Sequence, residues 1–209
     1  MAATEHPVFA RVWNALAPKA VPRSHRRELL AGASGSVVEI GAGTGLNFPF
    51  YGPGVTSVLA VEPEPFLRDR LGEAAAETPA PAIEVVDGTA AAIPAPDSSF
   101  DVAVVCLVLC SVPDQGAALT EIRRVLRPGG ELRFYEHVIA DSTAGAGLQR
   151  VLDGTHVWPT VGAGCHLARD TGAAIRAAGF TVERYRRLVS GPGPGDRVGL
   201  PHILGTARA

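Results

Sequence analysis

The run Val37-Val38-Glu39-Ile40-Gly41-Ala42-Gly43-Thr44-Gly45 reads as a buried strand entering a glycine turn, with an acid just before the first glycine. Glycines at alternate positions let the backbone turn sharply and approach a ligand, because they lack a side chain and tolerate positive φ. A dinucleotide fingerprint needs G-x-G-x-x-G, and the position of its third glycine is held by Leu46. The spacing here, G-x-G-x-G, implies a nucleoside-like ligand without a pyrophosphate. Glu62 comes 17 residues after Gly45. A carboxylate there accepts hydrogen bonds from both hydroxyls of a ribose; alone it could equally be a solvated acid favoured by a helix N-terminus. Paired with the glycine turn, ribose binding is the better reading. Further along, His137 stands beside Glu136. An imidazole that titrates near neutrality can take a proton from an acceptor, or it can merely hydrogen-bond its own loop. His156, His166 and Asp153 are further acid–base candidates, with a structural or substrate-shaping role as the alternative. Cys165 beside His166 has the makings of a nucleophile pair, but sequence neighbours need not face each other. A buried or pocket-lining cysteine is the plainer reading.

The elements that position these groups alternate between strand and helix. Strands are expected over Ser36–Gly41, Ser57–Glu62, Ile83–Val86, Asp101–Cys110, Glu131–Ile139, Phe180–Leu188 and Val198–Ala207. Helices are expected over 8–17, 23–31, Pro65–Ala76, Asp114–Leu126 and Ala168–Ala178, with a loop and a short helix in the glycine-rich stretch 140–166 and a turn over Ser190–Asp196. The nearly continuous apolar run Asp101–Cys110 suits a strand covered on both faces, as at the centre of a parallel sheet. Such alternation specifies an α/β sheet with right-handed crossovers. Its ligands bind beyond the carboxyl ends of the strands, at the switch point. All the residues singled out above, except those in 140–166, lie toward the carboxyl end of a strand or just after it.

Composition narrows the class. At 209 residues, one domain with a sizeable core is expected. Nineteen basic against 21 acidic residues, with few aromatics, argue against a nucleic-acid partner. An odd cysteine count of three is not a disulfide framework, so a reducing cytoplasm is the natural compartment. The Cys106–Cys110 spacing, with no histidine close in sequence, is a poor zinc signal, and no metal is expected. No apolar run approaches the roughly 20 residues of a membrane helix, and the first residues carry no secretory signal.

The runs EIGAGTG, VEPE, PDSSFDVAVV and RRVLRPGGELRFYEH resemble, in order and spacing, the motifs of class I S-adenosylmethionine-dependent methyltransferases over roughly residues 36 to 140. That resemblance implies a Rossmann-like fold: a seven-stranded mixed sheet whose last strand is antiparallel, with helices on both faces. It implies S-adenosylmethionine as cofactor and S-adenosylhomocysteine as product. Glu39 and glycines 41, 43 and 45, with Ala42 and Asn47, would hold the methionine part. Glu62, followed by Pro63, would take the ribose, and backbone around Gly88–Ala90 would meet the adenine. Many relatives carry an aspartate where this chain has Thr89; Asp87 lies two residues earlier. Cys106 and Leu107 complete the implied cofactor set, with the Cys106 side chain toward the core and Cys110 beside the cofactor.

A closer resemblance covers nearly the whole chain. HPVFARVWN, GTGLNFPFY, LVLCSV, FYEHV, VLDGTHVW, GCHLARDT and PHILGTA resemble the methyltransferase-like proteins that S-methylate alkyl thiols, and their bacterial relatives. Membrane-bound members of that family begin with a hydrophobic anchor; the first residues here show none. Methyl transfer from a sulfonium is an in-line displacement, so the protein has to align a nucleophile and exclude water. A thiol, with a pKa of about 8.5, needs only a modest neighbour to supply thiolate. His137 and Glu136 are the catalytic candidates, followed by His166 and Asp153, with His202, in the last strand, expected to face the pocket. Phe9, Val12 and Trp13 have helical spacing, which makes residues 1–31 a lid or simple packing on the sheet edge; residues 140–167 would cover the substrate. Methylation of nitrogen, oxygen or carbon in a lipid, quinone or natural product, and a non-catalytic cofactor sensor, are the alternatives.

Overall fold

A computed structural model describes residues 20–155, 158, 164–190 and 199–209. The helix expected over 8–17, His156 and most of the turn 190–196 fall outside them. The strands are β1 (Gly35–Ile40), β2 (Val55–Val61), β3 (Ala82–Val86), β4 (Phe100–Cys106), β5 (Leu126–His137), β6 (Thr181–Ser190) and β7 (Leu200–Arg208). The helices are α1 (Arg23–Leu30), α2 (Pro65–Ala76), α3 (Gln115–Val125), α4 (Thr143–Gly154) and α5 (Thr171–Ala177). The sheet order is β3-β2-β1-β4-β5-β7-β6. Every pairing is parallel except those of β7 with β5 and β6. The order reverses between β1 and β4, which opens a crevice at their carboxyl ends.

Strand side chains alternate between the two faces, and the burial follows. Val38, Ile40, Ala103, Val105, Leu132 and Phe134 pack with Leu119 and Ile122 of α3 and Ile175 of α5. Val37, Val102, Val104 and Tyr135 pack with Leu29 and Leu30 of α1 and Leu71 of α2. Each such aliphatic side chain contributes roughly 1.5–3 kcal/mol when fully buried. The buried Arg133 donates to the carbonyls of Leu29 (3.0 Å) and Ala31 (2.8 Å) and so fixes the end of α1. Free carbonyls at a helix C-terminus welcome a cation.

Several boundaries differ from the sequence expectation; the fifth strand, for one, starts at Leu126 rather than Glu131, directly after α3. The fourth strand stops at Cys106 rather than Cys110, because Leu107 takes φ +62° and turns the chain out of the sheet. Residues 143–154 form three turns of helix, capped by Ser142 Oγ, which accepts from Gly145 N (3.2 Å). Gly145 and Gly147 hide that helix from propensity reasoning. Helix α5 starts at Thr171, where Asp170 accepts from Ala173 N (2.9 Å) as its cap. No helix among the described residues is long and apolar enough to cross a membrane.

Candidate active site

The glycine turn after β1 is built as its spacing demands: Gly41, Gly43 and Gly45 have φ of +62°, +61° and +77°. A Cβ on Gly41 would lie 2.7 Å from Val108 Cγ2, and one on Gly45 2.7 Å from Phe48, whereas one on Gly43 would meet nothing within 4 Å. Gly41, Ala42, Gly43, Thr44, Leu46 and Asn47 form one wall of the crevice; Glu39, Arg26, Val21, Cys106 and Leu107 form the rest. Glu39 is 2% exposed. Its two oxygens accept from Asn47 Nδ2 (2.8 Å) and Tyr51 Oη (2.7 Å), and Arg26 Nη1 donates to Asn47 Oδ1 (2.7 Å). Burial raises the Glu39 carboxyl above its ordinary range, against those two hydrogen bonds.

Glu62, just past β2, accepts from Gly43 N (2.8 Å) on one oxygen and Glu64 N (3.0 Å) on the other. Burial raises it too, opposed by these backbone donors. Each carboxylate oxygen retains a lone pair for a further donor, so the group fits a diol. Beside it, Gly88 cannot carry a Cβ without meeting Pro94 Cδ at 2.7 Å. Thr89 and Ala92 exchange backbone hydrogen bonds (3.2 and 3.1 Å) to close a tight turn. Asp87 is solvent-facing and pairs with Arg68 (3.2 Å), which also donates to the carbonyls of Glu62 and Pro63. Cys106 lines the crevice, and burial lifts its thiol to about 12. Cys106 also packs against the core around Val104 and Tyr135, as expected, while Cys110, at 1% exposure, sits in a separate cluster with Cys165 and Leu167.

That cluster lies at the ends of β4 and β5. Cys110, His137 and Cys165 present sulfur or nitrogen atoms all within 4.8 Å of one another, and His137 Nδ1 is 3.1 Å from Cys165 Sγ. The hydrogen bond from Cys110, aided by His137, brings the Cys165 thiol down to about 5 against the burial that raises it. Cys165 therefore pairs with His137, not with its neighbour His166. Leu107 joins the crevice to this cluster, packing on both, with Leu152, Trp158 and Leu200 around it. His202 lies against His137 at 4.2 Å between ring centroids, and Tyr135 against His202 at 4.9 Å. Burial depresses His202 to about 3, so its imidazole is neutral; Nδ1 donates to the Leu200 carbonyl (2.7 Å).

Glu136 and Asp153 do other work than the sequence reading gave them. Adjacent strand residues point to opposite faces, so Glu136 turns away from His137 toward the α3 side. It is fully buried and accepts from the backbone of Val108 (2.9 Å) and Cys110 (3.1 Å). Asp153 accepts from Leu167 N and Ala168 N, both at 2.9 Å, and its distance to His166 is 3.9 Å. Each carboxylate holds a loop in place, one carrying Cys110 and the other Cys165.

Residues 38–134 match the family described as Methyltransferase domain. The chain is 41% identical over 196 residues to thiol S-methyltransferase TMT1B of Rattus norvegicus and 39% identical over 195 residues to thiol S-methyltransferase TMT1A of Homo sapiens. Each match covers 88% of this chain and 78% of the relative. The chain is an S-adenosylmethionine-dependent methyltransferase. It belongs to the family that contains those relatives. A solved methyltransferase from Aquifex aeolicus shares the fold, with TM-score 0.66 and 16% identity over 99% of both chains.

Several parts of the methyltransferase site carry no sequence signal. Arg26 reaches the crevice, and Tyr51 its Glu39, only because α1 and the short helix Phe48–Phe50 fold over the carboxyl end of β1. Leu107, a non-glycine residue at positive φ, is a strained position of the kind that marks a ligand-facing turn. Arg169 donates to the carbonyls of Leu109 (2.8 Å) and Val112 (2.6 Å), bracing the Cys110 loop from the opposite side to Glu136.

Proposed function

We propose that this methyltransferase S-methylates a small, largely apolar thiol. The observation that carries the reading is the match to thiol S-methyltransferases across 88% of the chain, which includes the C-terminal part that supplies Cys165, Arg169 and His202. The site chemistry supports it. The two carboxylates that hold the Cys110 and Cys165 segments, Glu136 and Asp153, are committed to backbone N–H groups. A thiol, which ionises near pH 8.5, asks least of its surroundings, whereas an alcohol would need a strong free base. Leu107, Leu152, Trp158, Leu167 and Leu200 give that end an apolar lining.

S-adenosylmethionine, when bound, supplies an electrophilic methyl group on a sulfonium. In this reading Glu39, Gly41, Ala42, Gly43, Gly45 and Asn47 receive its methionine part. Glu62 and Pro63 face the ribose, and Gly88, Thr89 and Ala90 the adenine, with Cys106 and Leu107 between crevice and acceptor. The solvent-facing Asp87 acts only through Arg68. His137 stands at the acceptor end, and within a single domain the described residues of the 140–167 segment, α4 and 164–167, cover it. Three free cysteines suit a reducing compartment such as the cytoplasm. The test is to incubate the protein with S-adenosylmethionine and panels of thiols, phenols and amines, measuring S-adenosylhomocysteine and methylated product. Turnover of thiols is expected; methylation of phenols or amines with no thiol turnover refutes the thiol assignment.

A further inference from the structure

Cys110, His137 and Cys165 are 27 and 28 residues apart in sequence, yet they converge at one point, offering two thiols and one imidazole. Their ligand atoms all lie within 4.8 Å of one another. A tetrahedral zinc with bonds of about 2.3 Å to sulfur and 2.0 Å to nitrogen places its ligand atoms roughly 3.5–3.8 Å apart. The 3.1 Å separation of His137 Nδ1 and Cys165 Sγ needs to open by only a few tenths of an ångström to meet this.

The backbone around the three is unusually well fixed. Glu136 holds the Cys110 loop through the Val108 and Cys110 amides, and Arg169 holds it through the Leu109 and Val112 carbonyls. Asp153 holds the amides of Leu167 and Ala168, next to Cys165. The amide of His166 donates to the Cys110 carbonyl at 2.8 Å, joining the two cysteine segments directly. His137 is set by its strand and by the ring of His202. Rigid support of this kind is what a preorganised ligand set requires. The buried carboxylate of Glu136, the partly buried one of Asp153 and the Arg169 guanidinium all hold the two cysteine segments in place, and packing alone would not need them.

We propose that Cys110, His137 and Cys165 form a site for one zinc ion, with the fourth coordination position left for the acceptor thiol. Soft thiolates with one imidazole select zinc over hard cations such as magnesium and calcium, and three protein ligands plus an open position is the pattern of catalytic rather than structural zinc. The open-position part rests on the thiol reading above; the metal site itself does not. An acceptor thiol that binds there gives up its proton to solvent, because a coordinated thiol is deprotonated. The thiolate's electron pair then forms the new sulfur–carbon bond while the sulfonium carbon–sulfur bond breaks and its pair stays on the departing sulfur. The uncharged thioether product is a weaker ligand and leaves. The ion, and not the His137 imidazole, supplies the thiolate, which replaces the base role suggested by the sequence.

The experiment uses the full chain, stripped of metal by chelation under reductant, with all three thiols counted before use. Cobalt(II) titration should give one equivalent bound, with sulfur-to-cobalt charge-transfer and tetrahedral d–d bands, and zinc should displace it. Cys110→Ser, Cys165→Ser and His137→Ala should each weaken binding by tenfold or more, while Cys106→Ser leaves it unchanged. S-adenosylhomocysteine binding by calorimetry identifies which variants retain the fold. Adding an alkyl thiol should shift the d–d bands. Absence of cobalt and zinc binding to the reduced protein, or wild-type binding by the Cys110→Ser and Cys165→Ser variants, overturns the metal site. Bands unmoved by thiol overturn the open-position role. Wild-type thiol turnover by metal-free protein overturns the open-position role and leaves the thiol function standing; metal binding without turnover of any thiol leaves the metal site standing and overturns the thiol function.

Discussion

Alanine at Gly43 and at Gly41 should separate ligand space from protein space within one turn. Both residues have φ near +60°, where a Cβ costs roughly 1–2 kcal/mol. At Gly43 nothing in the protein lies within 4 Å of the added Cβ, so this backbone cost is the whole effect on folding. For a chain of this length it lowers the melting temperature by about 2–8 °C. At Gly41 the Cβ meets Val108 Cγ2 at 2.7 Å, and Val108 is held through its amide by Glu136. Overpacking then adds about 1–3 kcal/mol, for roughly 2–5 kcal/mol in all. The open space at Gly43 lies on the wall of the crevice assigned to the cofactor. A methyl group intruding there by the same 1–3 kcal/mol weakens ligand binding about 5- to 150-fold. Thermal melts and calorimetric titration with S-adenosylhomocysteine read both quantities. Gly41→Ala should be the less stable protein and Gly43→Ala the weaker binder. A Gly43→Ala protein that binds within twofold of wild type, or that melts below Gly41→Ala, would refute the placement of the cofactor.

Three further outcomes are expected. Glu62→Gln turns an amide N–H₂ toward the Gly43 or Glu64 amide and removes an acceptor for the ribose, so S-adenosylhomocysteine affinity should fall tenfold or more; an unchanged titration contradicts the ribose role. Glu136→Gln leaves one buried backbone donor unsatisfied at a cost of about 1–3 kcal/mol; it should lower melting by roughly 2–12 °C and impair thiol turnover more than cofactor binding, and wild-type melting would count against the clamp. Burial keeps His202 neutral down to about pH 3 in the folded state, against about 6.5 unfolded, so the unfolded chain binds the extra proton. The stability contributed is complete above pH 6.5 and is lost as pH falls toward 3, at up to about 1.4 kcal/mol per pH unit. Glu39, Glu62 and Glu136, raised by burial, act in the opposite sense, so the comparison that isolates His202 is denaturant unfolding of wild type against His202→Phe across that range. Parallel slopes would show that His202 does not titrate as its burial requires.

What was legible in the chain is what depends on local pattern. Alternating apolar strands and amphipathic helices specify the parallel sheet, and the glycines at 41, 43 and 45 are where the backbone needs positive φ. Glu39 and Glu62 are readable as acids at the carboxyl ends of β1 and β2, the side on which such a sheet takes its ligands. Helix 143–154 was obscured by its glycines, and the end of β4 by an apolar run whose turn at Leu107 is a strained backbone state. Tertiary packing alone decided the acceptor end. The pleat sends Glu136 and His137 to opposite faces, so the pair beside each other in sequence is split, while Cys110, His137 and Cys165 are brought together from three segments. Which carboxylates hold loops and which face the crevice follows from backbone amides contributed by distant residues. Periodicity and spacing carry no record of those contacts, because they arise only when the segments after β4, β5 and α4 meet at the carboxyl ends of β4 and β5.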